Sequence, residues 1–181
     1  MPENVRDAMI EAAWLLIAER GLEGMATREV LARTGAPRGS VYHYFPRGRA
    51  ELIELAIERS VRWMHDQIAA IAPNHPDDVV TGYLEIWRRV LEATDFHAGC
   101  AVAGVVTGGH DPDLLDRGAA AYAATTDALA NLFQHVGVPA GEAQQRSMLL
   151  VCAAEGAVLL ARAQRTAEPL TGVAEQLTTG P

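Results

Sequence analysis

Residues 27–46, TREVLARTGAPRGSVYHYFP, predict two short helices joined by a tight turn. Apolar residues recur at helical spacing up to Gly35, a residue type that tolerates the positive φ at which many helices end. Thr27 is predicted to cap the first helix with its side-chain oxygen. Ala36 and Pro37 are predicted to begin the second helix, because proline suits a first helical turn. The segment therefore predicts a helix-turn-helix.

The second helix of this motif has two chemically different faces. Val41 and Phe45 are four residues apart and are predicted to anchor the helix inward. Its other polar and aromatic side chains are predicted to point largely outward: Arg38, Ser40, Tyr42, His43 and Tyr44. An exposed helical face of arginine, hydroxyl and aromatic groups is suited to reading base edges in the major groove of DNA.

The remainder of the chain predicts an all-α protein. Leu, Ala, Glu and Arg dominate, and alternating runs of Val and Ile are scarce. The 181 residues suffice for one large or two small helical domains. Helical periodicity and Gly/Pro breaks predict about nine helices, with a three-helix head over residues 1–48 and a second helical domain over residues 49–181.

The distribution of charge matters more than its sum. The formal net charge is −8, which by itself disfavours a DNA-binding protein. Residues 28–49, however, contain five arginines and one glutamate, a local charge of +4, while residues 61–181 contain seven arginines and fourteen acids. The positive charge is concentrated on the motif that would face phosphate.

The sequence also disfavours several other classes of protein. No apolar run approaches the ~20 residues of a membrane span, and the start MPENVRDAM has no secretory pattern, so a cytoplasmic protein without a membrane partner is expected. Cys100 and Cys152 could pair, but thiols are expected in a reducing cytosol. His97 and Cys100 have a ligand-like spacing without a second pair, so no metal site is expected. No Gly-rich phosphate loop and no Ser/His/Asp arrangement can be recognised, so neither a cofactor nor enzymatic activity is expected.

On these residues the chain resembles the tetracycline-repressor (TetR) family of bacterial transcription regulators. Seven residues sit where the N-terminal pattern of that family has them: Gly21, Thr27, Gly35, Gly39, Tyr42, Tyr44 and Phe45. The runs GAPRGS, YHYFPRGR and, much later, GCAVAGVV are most similar to its LmrA/YxaF-like branch. The N-terminal likeness covers roughly residues 5–58. Departures from the common pattern are Pro37, Leu31 and Arg49; the first two fit the branch, and the third keeps the charge.

The resemblance and the chemistry of the helix together predict a set of DNA-contacting residues. They are Thr27, Arg28, Arg38, Gly39, Ser40, Tyr42, His43, Tyr44 and Arg49. Arg38 is suited to guanine O6/N7 or to phosphate, and Tyr42 to a thymine methyl group or to phosphate. Thr27, Tyr44 and Arg49 are expected to hold phosphates and so to fix register rather than sequence.

The resemblance further implies that the second domain surrounds a small-molecule effector. The candidate ligand-binding residues are Trp63, Met64, Gln67, Tyr83, Trp87, Phe96, Cys100, Tyr122 and Glu155. For any single one of them, ordinary core packing is the favoured interpretation, and only the set as a whole predicts a pocket. Glu155 lies inside an apolar run, where it could pair with an arginine, hold a cationic ligand or sit between subunits.

The apolar run MLLVCAAEGAVLLARA, residues 148–163, is too apolar for one face of a surface helix. It could be a central core helix; the resemblance implies instead a homodimer interface. The residues predicted to form that interface are Leu149, Cys152, Ala153, Gly156, Ala157 and Leu160.

The sequence thus predicts a ligand-responsive repressor that binds a palindromic double-stranded operator as a homodimer and is released by a small hydrophobic or aromatic effector. The alternative is a helical ligand-binding or scaffold protein that has lost operator function.

Overall fold

The structure is a computed structural model and describes residues 5–178, which form nine α-helices and no β-strand. The helices are α1 (Val5–Gly24), α2 (Thr27–Thr34), α3 (Ser40–Tyr44), α4 (Arg49–Ala69), α5 (Pro76–Ala93), α6 (Ala101–Gly108), α7 (Pro112–His135), α8 (Ala140–Gln164) and α9 (Glu168–Thr178). The all-α prediction is confirmed.

Helix boundaries in the motif differ from the predicted ones. Thr27 is the first residue of α2 and does not cap it; Ala26 holds the capping position, with no side-chain hydrogen bond. The second helix begins at Ser40 and not at Ala36 or Pro37, so the turn is longer than predicted. Proline can start a helix but does not require one, and glycine follows it two positions later.

The described residues divide into two compact units. The first contains residues 5–62 and 101–121, and the second contains residues 63–100 and 122–178. The first unit is larger than the predicted head, because it also includes the first part of α4, all of α6 and the start of α7. The division into a DNA-binding part over residues 1–48 and an effector part over residues 49–181 stays a prediction about function.

Helix α1 packs closely on α6 within the first unit. A Cβ on Gly104 would lie 3.0 Å from the Ile17 carbonyl oxygen and 3.3 Å from the Gly21 Cα. Gly21 itself has φ 72° and bends α1. The two backbones therefore approach so closely that a side chain at position 104 would have to displace backbone atoms of α1.

The core of the second unit is formed mainly by α5, α7 and α8, and α9 packs against α5 and α8. Its largest fully buried side chains include Tyr83, Leu91, Leu129 and Phe133. Aromatic and branched side chains from α5 and α7 thus enclose the small residues of α8.

Helix α8 is long and apolar enough that composition alone would permit a membrane span, which the sequence prediction had not recognised. Core helices of water-soluble proteins pass the same test. Eight of its residues are buried against the second unit, Ser147, Leu150 and Ala154 among them, so α8 is accounted for as a core helix with one exposed apolar face.

Candidate DNA-reading face and effector site

The turn between α2 and α3 is held by its backbone. Gly35 ends α2 with φ 69°, in the left-handed region that favours glycine. The Ser40 N–H donates to the Pro37 carbonyl at 2.9 Å and starts α3. This arrangement sets the direction in which the five residues of α3 leave the turn.

The inward face of α3 is as predicted. Val41 is 1% exposed and Phe45 is not exposed at all. The Phe45 N–H donates to the Val41 carbonyl at 2.7 Å, and the Arg6 guanidinium lies 5.6 Å from the centre of the Phe45 ring. These two anchors fix the rotation of α3 about its own axis, and so determine which side chains face solvent.

The outward face carries the predicted reading residues. Tyr42 is 73% exposed, an unusual value for so large a side chain. Its ring lies 3.3 Å from the position that a Cβ on Gly48 would occupy, so a side chain at position 48 would displace the ring. Arg38, Gly39 and His43 are also exposed, whereas Ser40 and Tyr44 are half-buried.

The arginines of the head are mostly engaged by other parts of the protein. Arg33 forms two hydrogen bonds with the Glu19 carboxylate, at 2.8 and 3.0 Å, and Arg28 lies 3.2 Å from Glu29. Arg38, in contrast, is exposed and forms no hydrogen bond or ion pair with any other residue between positions 5 and 178. The effective charge of the motif is therefore smaller than the +4 of its sequence, and Arg38 is its least restrained cation.

Arg49 was predicted to hold phosphate, but its guanidinium makes contacts within the protein. Its Nε donates to the Met25 carbonyl at 3.1 Å and a terminal nitrogen donates to the Leu22 carbonyl, at 2.6 Å. It thereby satisfies carbonyl groups at and just after the end of α1. Thr27 lies nearby in sequence and is half-buried. The phosphate roles of Thr27 and Arg49 stay predictions.

An acidic residue that the sequence reading missed joins the motif to α4. Glu54 accepts two hydrogen bonds from Arg47, at 2.8 and 2.9 Å, and lies 3.2 Å from Arg117 of α7. The hydrogen bonds from Arg47 lower the pKa of the Glu54 carboxyl, with a further contribution from Arg117. The loop after α3 is therefore tied to α4 by an ionised carboxylate.

In the second unit, five of the nine predicted effector residues lie together. Tyr83 and Trp87 come from α5, Cys100 precedes α6, Tyr122 is on α7, and Glu155 is on α8. The Cys100 Sγ lies 3.9 Å from the Tyr122 hydroxyl, and both groups lie near the Glu155 carboxyl. Burial raises the pKa of Glu155, and these two polar neighbours offset part of the rise.

The two residues from α5 add a second polar feature to this cluster. Burial raises the pKa of the Tyr83 hydroxyl. The Trp87 indole N–H approaches that hydroxyl closely enough to oppose part of the rise, but without proper hydrogen-bond geometry. The Trp87 Nε1 is consequently buried without a hydrogen-bond partner, which leaves a donor available in the interior.

The other four predicted effector residues are not shown to join the cluster. Met64 is buried in the core of the second unit, and Trp63 and Phe96 pack against that core. Gln67 is half-buried on α4. For Met64, Trp63 and Phe96, the alternative of ordinary core packing accounts for their positions.

A groove between α7 and α8 leads from the surface to Tyr122 and Glu155. It has a volume of about 470 Å³ and is also lined by Thr126, Asp127, Met148 and Val151. The sequence reading missed this groove, because its other walls are formed by residues without a distinctive pattern. Within residues 5–178, no group of three or more His, Cys, Asp or Glu side chains is placed to hold a metal ion.

The exposed apolar face of α8 differs from the predicted interface by a rotation of the helix. Leu149 and Leu160 are 57% and 54% exposed, and Cys152 and Gly156 are also exposed. Ala153 is half-buried. Ala157 is 3% exposed and packs in the core of the second unit, so its assignment to a subunit interface is corrected. Met148 and Leu159, which were not predicted, extend the face at 58% and 60% exposure.

Comparisons with known proteins agree with this arrangement. The family profile described as bacterial regulatory proteins, tetR family, matches residues 9–56. The profile described as transcriptional regulator LmrA/YxaF-like, C-terminal domain, matches residues 76–176, which is more than half of the chain.

Relatives of similar length carry the same designation. The chain is 36% identical to the uncharacterized HTH-type transcriptional regulator Rv0196 of Mycobacterium tuberculosis, over 97% of this chain and 93% of that protein. It is 22% identical to the HTH-type transcriptional regulator LmrA of Bacillus subtilis, over 91% and 90% of the two chains. The regulatory protein TetR from Rhodobacter sphaeroides has the same fold, with a TM-score of 0.83, 20% identity and 96% coverage of both chains. The chain therefore belongs to the TetR family of transcription regulators and has an LmrA/YxaF-like C-terminal domain.

Proposed function

We propose that this regulator acts in the cytoplasm as a homodimeric, ligand-responsive repressor, in which each subunit places α3 in the major groove of one half of a palindromic operator. The observation that carries the proposal is the exposure of Tyr42 and Arg38 on a helix whose other face is fixed by Val41 and Phe45. A reading helix must be rigidly oriented and have unengaged side chains, and α3 meets both requirements.

The exposed apolar face of α8 supports the homodimer. Four large apolar side chains, Met148, Leu149, Leu159 and Leu160, are each more than half exposed on one helix. Contiguous apolar patches of this kind are rare on monomeric proteins and mark interaction sites. A second copy of the same face would cover it with two-fold symmetry, as most homodimers do.

The polar cluster in the second unit supports a small-molecule effector. Glu155 and Tyr122 are half-buried polar groups at the edge of a largely apolar core, and the indole N–H of Trp87 is buried within it. A few polar groups among apolar and aromatic side chains are characteristic of ligand sites. Because α4 has residues in both units, an effector that prefers one position of α4 would change the spacing of the two heads and release the operator.

The test is retardation of DNA fragments from the region upstream of the gene. One fragment should be retarded selectively. Arg38→Ala should weaken binding of this fragment by roughly 1–3 kcal/mol if Arg38 makes a bidentate contact to a base. Arg89→Ala, an exposed arginine of α5, is the matched control and should bind normally. Retention of all fragments alike, or of none, would instead favour a helical ligand-binding or scaffold protein that lacks operator function.

A further inference from the structure

We propose that the groove between α7 and α8 binds an amphipathic organic cation, with Glu155 as its counter-ion and Tyr122 against its apolar part. This inference rests on the proposed function, since it assigns a chemical class to the effector. The resemblance implies that a ligand binds in the second domain but does not specify its chemistry. The proposal names Glu155 as the residue that pairs with the charge of the ligand.

The groove has the size of a small-molecule site. Its volume of about 470 Å³ falls within the range of ligand pockets, which is roughly 300–1,000 Å³. Ala123, Met148 and Val151 supply apolar walls, and Tyr122 and Glu155 supply polar groups. Met148 is also part of the exposed face of α8, so a partner subunit seated on that face would border the groove.

The charge of the groove selects cations. Its lining includes two carboxylates, Glu155 and Asp127, and contains no arginine or histidine. Asp127 is exposed and accepts a hydrogen bond from Gln144 at 3.1 Å. A lining with two carboxyl groups and no cationic side chain favours cations over anions.

Glu155 is a half-buried carboxyl group without a cationic partner. Its polar neighbours are the Cys100 thiol on the segment before α6 and the Tyr122 hydroxyl on α7, and neither of them is a cation. Tyr83 of α5 also faces it as a neutral phenol. No residue in the described range 5–178 forms an ion pair with Glu155. Neutral donors satisfy oxygen lone pairs but leave the charge uncompensated, and a bound cation would compensate it.

The apolar part of the ligand is specified by the neighbours of Glu155. Tyr122 lines the groove next to it, and aromatic rings attract organic cations through their electron-rich faces. Met148 and Val151 offer flexible and branched apolar surface nearby. The site is therefore suited to a quaternary or tertiary amine attached to an aromatic group, and unsuited to a small hydrated inorganic cation.

Calorimetry with three matched probes tests the assignment on the full chain without DNA. The probes are (naphthalen-1-ylmethyl)trimethylammonium, its neutral isostere 1-neopentylnaphthalene, and the anion 1-naphthaleneacetate. The cation should bind at least about tenfold more tightly than the neutral isostere, which is the effect of one pKa unit of interaction. The anion should not bind.

Variants separate the charge of Glu155 from its shape. Glu155→Gln should weaken binding of the cation by about tenfold or more, and should leave the neutral isostere nearly unchanged. Asp127→Asn should weaken binding of the cation by about fivefold at most, because Asp127 is exposed. Glu142→Gln, on the same helix and outside the groove, removes the same charge and should have no effect.

The pH dependence gives a second measurement that does not depend on a variant. A cation binds the ionised carboxylate, so affinity should fall as the pH falls below the raised pKa of free Glu155, by up to about tenfold per unit. Glu155→Gln should remove this dependence.

Three results would overturn the inference. They are equal affinity for the cation and its neutral isostere, an equal loss of affinity for both of these probes in Glu155→Gln, and no binding of any probe. Operator retardation by the same preparations keeps the two proposals apart. Retained operator binding with failed cation binding rejects the ligand class alone, whereas lost operator binding rejects the proposed function.

Discussion

Arg47 and Glu54 form a two-fold hydrogen-bonded ion pair, with N–O distances of 2.8 and 2.9 Å, between the loop after α3 and the first turns of α4. The arginine that follows the reading helix is thereby neutralised within the protein. Glu54 also lies 3.2 Å from Arg117, so one carboxylate restrains two cations.

Removing this carboxylate should increase binding to DNA of any sequence. Glu54→Gln keeps the shape of the side chain and releases Arg47 to contact phosphate. Retardation of a random fragment should become stronger, and the slope of log affinity against log salt should steepen by about 0.9 for one added phosphate contact. Glu58→Gln, which lies one turn further along α4, is the control, and an unchanged slope in Glu54→Gln would mean that Arg47 does not reach DNA.

Tyr42 should contribute to operator affinity without contributing to stability. Because it is 73% exposed, Tyr42→Ala should change the free energy of unfolding by no more than about 0.5 kcal/mol. Operator affinity should fall by roughly 1 kcal/mol, the net value of one hydrogen bond. Urea unfolding and DNA retardation measure the two quantities. A large loss of stability with normal operator binding would contradict the exposed, reading position of the ring.

The α8 face should be required for dimerisation. Leu160→Arg places a charge in the middle of a surface that a second copy would desolvate, so a monomer with weakened operator binding is expected in sedimentation velocity. Leu115→Arg changes a leucine that is 38% exposed on α7 and should leave the assembly unchanged. A dimer in both variants would mean that the exposed face of α8 does not form the interface.

Gly104 should be intolerant of any side chain. The Cβ of Gly104→Ala would meet the Ile17 carbonyl oxygen at 3.0 Å, and both of its neighbours at that point are backbone atoms. Overpacking of this kind should lower the free energy of unfolding by about 1–3 kcal/mol. Gly172→Ala, where a Cβ would meet nothing within 4 Å on α9, should be neutral or stabilising by up to about 1 kcal/mol. Equal effects of the two substitutions would reject the close packing of α1 on α6.

Glu155 should make stability fall with rising pH. Its folded-state pKa is raised above the ordinary value of 4.5, so the folded protein holds this proton to a higher pH than the unfolded chain. Its contribution to stability is therefore full below pH 4.5 and is lost as the pH rises through the folded pKa. Glu155→Gln should gain stability over the parent across that window, measured by urea unfolding at fixed protein concentration. A constant difference across the window would mean that Glu155 titrates normally.

The local pattern of the sequence was sufficient to predict the motif. Val41 and Phe45 anchor α3 as their spacing indicates, and Gly35 ends α2 with the positive φ that its position predicts. These features depend on neighbours along the chain. The start of α3 was misplaced because Pro37 is compatible with both a turn and a first helical turn, and the backbone bond from Ser40 to the Pro37 carbonyl selects the turn.

The features that could not be predicted depend on distant contacts. The pairing of Arg33 with Glu19 and of Arg117 with Glu54 joins residues that no local pattern relates. Ala157 was assigned to the exposed face of α8 for another reason. The helix is apolar all round, so periodicity gives no direction, and only packing distinguishes buried Ala157 from exposed Leu159.

The apolar face of α8 is identical in all copies of the chain, and this identity has a genetic consequence. If this face joins two copies as proposed, a subunit with a defective head, such as Arg38→Ala, would pair with an intact subunit as readily as intact subunits pair with each other. Such mixed pairs have only one competent head for a two-part operator. When both forms are produced together, head mutations should behave as dominant over the intact allele, whereas Leu160→Arg, which is expected to prevent pairing, should be recessive.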